Sequence, residues 1–198
     1  RKIFVNNHMV EVTGTGYESK GEFYLGGNSI NPADDQHLSS LLKIGVLCNN
    51  ANYDGITVIG DPTEAALIVV AAKSGIQKHE MERLHPRKGE IPFSSERKRM
   101  TTIHNTPEGH RVAYMKGSPE TVLQLCERVC QNGKEIKLNK KGRDDILSKN
   151  EEMASQALRV LGIAYKVLPQ TLAEFDEESI ENNLVFIGLV GMIDPPRE

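Results

Sequence analysis

Long hydrophobic runs are missing from this chain of 198 residues. No stretch of about 18 apolar residues occurs, so no membrane span is expected. The opening RKIFVNNHMV lacks an apolar h-region and is not expected to serve as a signal peptide. Excess positive charge is missing as well. With 24 basic and 27 acidic residues the formal net charge is −3, which argues against general nucleic-acid affinity and makes any anion site local. The three cysteines, Cys48, Cys126 and Cys130, form no disulfide framework. Cys126 and Cys130, four apart, are expected on one face of a helix, as packing residues in a reducing compartment. Six histidines are scattered without metal-ligand spacing. Three catalytic signatures are absent: the G-x-x-x-x-G-K-S/T phosphate loop, the H-R-D and D-F-G pair of protein kinases, and a nucleophile elbow. The glycines of TGTGYESKGEFYL have the wrong spacing for a dinucleotide fingerprint and precede strand-like residues.

Hydrophobic residues (38%) and charged residues (26%) suit a globular chain with one ordinary domain and a real core. KIFVNNHMVEV reads as a hairpin turning at Asn6 and Asn7. A helix is predicted from Asn31 and Pro32 to about Asn49, with Leu38, Leu41, Leu42 and Gly45 on one face. GITVIGDPTEAALIVVAAKSG gives strand, turn and a largely buried helix. Asp61 is its N-cap, Pro62 its first residue, Glu64 the partner in a capping box, and Gly75 its stop. Three strands are predicted across residues 87–117 and a helix over residues 118–126. A turn and short strand follow at NGKEIKL, and a polar-faced helix over residues 143–158. RVLGIAYKVL and LVFIGLVGMI are strands joined by the acidic connection PQTLAEFDEESIEN. The expected fold is therefore α/β or α+β, a twisted, mainly antiparallel sheet flanked by helices.

Four stretches carry candidate chemistry, each with an ordinary alternative. In IPFSSERKRM, one ring, Phe93, precedes three bases, Arg97, Lys98 and Arg99. A strand phenylalanine is usually core and a basic run usually solvated. Together they also describe a purine stacked on a ring with a lysine beside its phosphates. In YMKGSPET, Lys116 ends a strand, Gly117 permits close approach of a ligand or of backbone, and Ser118 opens a helix whose N-terminus favours anions. In GDPTEAA, Asp61 and Glu64 fulfil a capping box, or a carboxylate there accepts from an adenine amino group. In QALRVLGIAYK, Arg159 is a surface charge or a phosphate clamp.

Taken in order, GDPTEAAL, FSSERKRM, MKGSPE, RVLGIAYK and the closing GMIDPPRE resemble the nucleotide-binding domain of P-type cation-transporting ATPases, in the calcium-pump-like branch. The resemblance covers nearly the whole chain. It implies that Phe93 stacks on adenine, that Lys98 lies beside the nucleotide, and that Lys116 with Gly117 sits at the back of the ATP pocket. It implies further that Glu64 lies near the adenine with Asp61 and Thr63 on the same turn, that Arg159 contacts the phosphates, and that Met100 lines the pocket. Asp194, Pro195, Pro196 and Arg197 match a hinge returning to a phosphorylation domain, so residues 1–192 are expected to form the nucleotide-binding domain and 193–198 the hinge. Ser95 stands where some animal calcium pumps carry an arginine.

The family's D-K-T-G-T motif, with its phosphorylated aspartate, is absent. The residues are therefore expected to be an insert that binds ATP without hydrolysing it. Mg²⁺ would accompany the ATP, with its ligands mainly on the missing phosphorylation domain. The implied partners are the phosphorylation and actuator domains of the same polypeptide, with no nucleic acid and no membrane insertion of this segment. The implied setting is the cytoplasmic part of an integral cell-membrane protein. Two other readings stay open: a self-sufficient hydrolase or phosphotransferase, and a stand-alone nucleotide-binding or regulatory module.

Overall fold

The computed structural model describes residues 1–54, 57–172 and 174–193. The chain opens with β1 (Lys2–Val5) and β2 (His8–Val12), turning through Asn6 and Asn7 at φ 50° and 62°. Asparagine tolerates this left-handed region better than most side chains, which is why the pair can close a two-residue hairpin. β3 (Phe23–Leu25) and β4 (Asn28–Ile30) follow. Asn31 and Pro32 do not start the long helix. They open a short 3₁₀ turn over Pro32–Asp34, and α1 (Gln36–Leu47) begins one step later, capped by Asp35, whose carboxylate accepts from His37 N and Leu38 N.

β5 (Asn52–Tyr53) and β6 (Val58–Ile59) form a small separate ribbon before α2 (Pro62–Lys73), and α3 (Lys78–Leu84) is a short helix with no sequence expectation behind it. The three strands expected in residues 87–117 are β7 (Arg87–Ile91), β8 (Arg99–Asn105) and β9 (Arg111–Gly117). α4 (Pro119–Gln124) stops short of Cys126, which instead begins β10 (Cys126–Gln131), followed by β11 (Lys134–Lys137). A bulge between Cys126 and Arg128 in β10 turns the two cysteines apart: Cys126 is in the core on one face, while Cys130 lines a cavity on the other. The expected shared helical face is thus corrected.

The polar helix is α5 (Lys140–Ala154), earlier than its predicted span. Ala157 has φ 57°, a non-helical angle that ends it, and Leu158 already belongs to β12 (Leu158–Leu168). α6 (Glu177–Ile180) lies within the acidic connection, and β13 (Leu184–Ile193) completes the chain.

Nine strands run in the order β4-β3-β2-β1-β13-β12-β9-β8-β7, each pair antiparallel. β10 pairs with β11 and runs parallel to β13. β13 is central and buried on both sides, which explains its unbroken apolar sequence. α1 and α2 cover one face through Leu38, Leu41, Leu67, Met100, Tyr114 and Ile163. α4 and α5 cover the other through Met115, Val122, Ile146, Met153 and Phe186. A mainly antiparallel sheet flanked by helices is the fold expected from sequence. Asp194, Pro195, Pro196 and Arg197, the expected hinge, lie outside the described residues.

One buried group makes the fold pH-sensitive. His104, fully buried on β8, contacts His85 O and Thr102 Oγ1, each at 2.9 Å. Burial lowers its pKa from 6.5 to about 4. The unfolded chain therefore binds the proton first as pH falls, and stability is lost from about pH 6.5 downward until the folded state also protonates near pH 4. Urea unfolding should show a loss of roughly 2 kcal/mol between pH 7 and 5, at 1.36 kcal/mol per pKa unit. His104→Asn should remove most of that slope. His85, also lowered by burial, and the N-terminal amine of Arg1, lowered by burial from 8.0 to about 6, act in the same direction. Equal stability at pH 7 and 5 in the parent protein would contradict this.

Candidate nucleotide site

The sheet topology gathers the motif residues at one end. β9 ends at Gly117, β8 starts at Arg99, and these two residues are paired. Gly117 also pairs with Gly162 of β12, placing the start of β12, with Arg159, at the same end. α2 points its first turn there. Asp61 accepts from Thr63 N at 2.8 Å and from Glu64 N at 3.2 Å, satisfying two of the helix's otherwise unpaired donors.

Only half of the expected capping box forms. Glu64 does not turn back to the N-cap. Its Oε1 accepts from Lys116 Nζ at 2.5 Å and its Oε2 from Asn50 N at 3.1 Å. The Lys116 and Glu64 side chains are only 9% and 15% exposed, so each is the other's counter-charge in a largely desolvated setting. One residue earlier, Thr63 Oγ1 accepts from Arg159 Nη1 at 2.8 Å, tying β12 to the same helical turn.

Phe93 lies on the β7–β8 connection, two residues past Ile91, and is 61% exposed. It is not the core residue that a strand phenylalanine usually is. Within the basic run, chain direction separates the three bases. Arg97 and Arg99 face Glu181, with contacts of 2.5 and 2.6 Å. Lys98, at φ 53°, is exposed. Gly117 serves the backbone: a Cβ there would stand 2.6 Å from Lys98 O and 2.7 Å from Arg99 Cβ. That close approach lets Ser118 N donate to Lys98 O at 3.0 Å, locking the Phe93 connection to the Lys116 strand. Ser118 also caps α4, accepting from Thr121 N at 3.3 Å.

Met100 is 2% exposed and sits in the main core, paired directly across from Lys116. It lies beside the lysine on the same face, in the core, and does not form an open wall. A cavity of about 360 Å³ lies elsewhere, between α1, the β8–β9 turn and strands β9 to β12, and none of Phe93, Lys98 and Lys116 lines it. The motif residues thus gather at one sheet end, with Phe93 and Lys98 exposed and the Lys116–Glu64 pair largely buried. Sequence reasoning missed Glu177 and Glu181, whose carboxylates hold the two arginines. The only local signal was the helix start at Asp176, whose carboxylate accepts from Ser179 N at 2.8 Å. Among the described residues no group of three or more His, Cys, Asp or Glu side chains could hold a metal ion, and no helix is long and apolar enough to cross a membrane.

The family described as P-type ATPase, cytoplasmic domain N, matches residues 37–198. The chain is 41% identical over 157 residues, 79% of its length, to calcium-transporting ATPase 1 of Bacillus cereus. It is 38% identical to the cation-transporting ATPase pma1 of Synechocystis, over 98% of its length. It is 35% identical to the human calcium-transporting ATPase type 2C member 1, also over 98%. The aligned segments make up 17%, 22% and 20% of those proteins, so the chain spans about one-fifth of their length.

Proposed function

The chain belongs to the family of P-type ATPase cytoplasmic N domains, and from that premise we propose that it binds ATP and presents the γ-phosphate to an aspartate on a separate phosphorylation domain of a cation pump. The observation that carries this reading is the exposed ring of Phe93, held on the same sheet end as Lys98, Lys116, Glu64 and Arg159. A phenyl ring that leaves most of its surface in water gains by stacking on a purine, a contact worth about 1–3 kcal/mol. Glu64 keeps acceptor capacity for the adenine amino group, because each of its oxygens accepts one protein hydrogen bond and has room for a second. Lys116 supplies charge at the back of the site, Lys98 supplies it from the exposed loop, and Arg159, anchored on Thr63, contacts the phosphate chain. Gly117 shapes the joint between them, and Asp61 holds the helix turn that carries Thr63 and Glu64.

Phosphoryl transfer needs positioning and charge more than covalent participation from this domain. Mg²⁺ would arrive with the ATP phosphates, its protein ligands lying on the phosphorylation domain. Actuator and phosphorylation domains of the same polypeptide are the partners, and a cytoplasmic position in an integral protein of the cell membrane is the setting. Calcium is the cargo named for two of the relatives cited above and is the proposed ion here. An open site holding mainly the adenosine part implies a dissociation constant on the order of 0.1–1 mM, about −4 to −5.5 kcal/mol.

An amide-resolved NMR titration of the 198-residue chain with ATP tests the reading. Saturable shifts are expected at Thr63, Phe93, Lys98 and Lys116, with no phosphate release from Mg-ATP. Turnover by the chain alone would mark a self-sufficient hydrolase. Absence of shifts at these positions would mark a module whose motif residues are only core and surface.

A further inference from the structure

The connection that carries Phe93 and Lys98 is held by a side chain more than eighty residues away. Glu181, just after α6, has a side chain only 1% exposed. A lone carboxylate so placed would be strongly unfavourable without compensation. Compensation comes from the two arginines that flank Lys98. Oε1 accepts from Arg97 Nη2 at 2.5 Å and from Thr101 Oγ1 at 2.7 Å, and Oε2 accepts from Arg99 Nε at 2.6 Å. Glu177 adds contacts to Arg97 Nε at 2.8 Å and Arg99 Nη2 at 3.6 Å. Burial pushes the Glu181 pKa upward, but the hydrogen bonds from Arg97, Thr101 and Arg99 outweigh it and leave the carboxyl below its ordinary range.

Arg97 has a second attachment. Its Nη1 donates to Pro92 O at 2.6 Å, the carbonyl of the peptide bond joining Pro92 to Phe93. Its backbone N–H donates to Ser94 Oγ at 3.1 Å, Lys98 N donates to Ser94 O at 2.8 Å, and Arg99 Nη1 donates to Arg97 O at 3.2 Å. One planar guanidinium thus reaches from Glu181 to the backbone beside the ring. With Arg97 and Arg99 both turned toward Glu181, the residue between them is left outward, and Lys98 takes that place in the left-handed region.

We propose that Glu181 is a positioning residue for the nucleotide site: without touching ligand, it fixes Arg97 and Arg99, which set the ring of Phe93 and the ammonium of Lys98 where binding needs them. The inference rests on the nucleotide reading given above. It also accounts for a basic run of three offering only one outward cation, since the other two are consumed in holding the loop. Arginine suits this task because its fork binds two acceptors at fixed angles, which lysine cannot do.

The test uses the 198-residue chain with Glu181→Gln, and with Arg97→Lys as a second variant that keeps the positive charge but loses the fork. Three quantities are measured: ATP affinity, hydrogen exchange at the amides of Arg97 and Lys98, and urea stability. Both variants should bind ATP about tenfold more weakly, as expected for loss of a charge-assisted hydrogen bond supporting the loop. Exchange at those two amides should be at least tenfold faster, with β9 and β12 amides unchanged. A purely structural role would lower urea stability and raise exchange throughout, leaving affinity among folded molecules intact. Parent-like affinity and loop exchange in both variants overturn the proposal. If the parent chain itself does not bind ATP, the nucleotide reading fails separately. The exchange comparison then decides alone whether Glu181 sets the loop, with unchanged rates overturning it.

Discussion

Phe93→Ala should weaken ATP binding by at least about fivefold while leaving the fold intact. The ring is 61% exposed, so its removal opens no cavity and costs little stability. The loss therefore falls on the ligand. Stacking worth about 1–3 kcal/mol corresponds to roughly 5- to 150-fold in affinity. Against a total of about −4 to −5.5 kcal/mol, that is a large share, and the variant's dissociation constant should move well into the millimolar range. Phe93→Trp, which keeps a π-face, should retain most of the affinity. Phe93→Leu, apolar but without a π-face, should resemble alanine. The comparison of leucine with tryptophan separates stacking from simple apolar contact. Titration followed at the Thr63 and Lys116 amides reads all three variants without relying on the substituted residue. A Phe93→Ala chain that binds as the parent does ends the stacking account.

What could be read in the residues, and what could not, divides along sequence distance. Asp61 and Pro62 announce a helix start within three positions, and α2 begins as they require. Asn6 and Asn7 announce a tight turn, and the hairpin is there. The run of apolar residues in β13 announces a buried strand. Each of these signals is local. Glu64 shows where local reasoning stops. Its place three residues after the N-cap suits a capping box, yet a buried ammonium from β9, fifty-two positions away, takes the carboxylate instead. The same holds for Glu181. Nothing in an acidic connection distinguishes the one carboxylate that enters the interior from the four that stay near water, because the distinction is made by Arg97 and Arg99 elsewhere in the chain. Cys126 and Cys130 illustrate a different failure. A spacing of four places two residues on one face of a helix and also on one face of a regular strand, and only the bulge in β10 sends them to opposite sides. The proposed site residues stand in the sequence as an ordered set of motifs. Their juxtaposition was not, since it depends on the pairing of β9 with both β8 and β12.

Lys116 should prove to have two separable roles, one in stability and one in binding. Lys116→Ala strands Glu64, whose side chain is only 15% exposed, with Asn50 N as its remaining partner. Breaking a buried pair from one side generally costs about 3–5 kcal/mol, because the surviving charge stays desolvated. Here the cost should fall near the lower value, about 3 kcal/mol, since the first turn of α2 favours a negative charge. Removing both charges is a different matter. Glu64→Gln with Lys116→Met keeps the volumes and leaves no unpaired ion, so urea unfolding should return to within about 1 kcal/mol of the parent. ATP affinity should not return with it. The double variant lacks both the ammonium at the back of the site and the carboxylate beside the adenine, and should bind at least tenfold more weakly than the parent, a loss of about 1.4 kcal/mol or more. Stability is then restored in the double variant while affinity is not, a separation that no single structural role can produce. Parent-like affinity in the restored double variant would reduce Lys116 to the counter-ion of Glu64 and remove it from the nucleotide site.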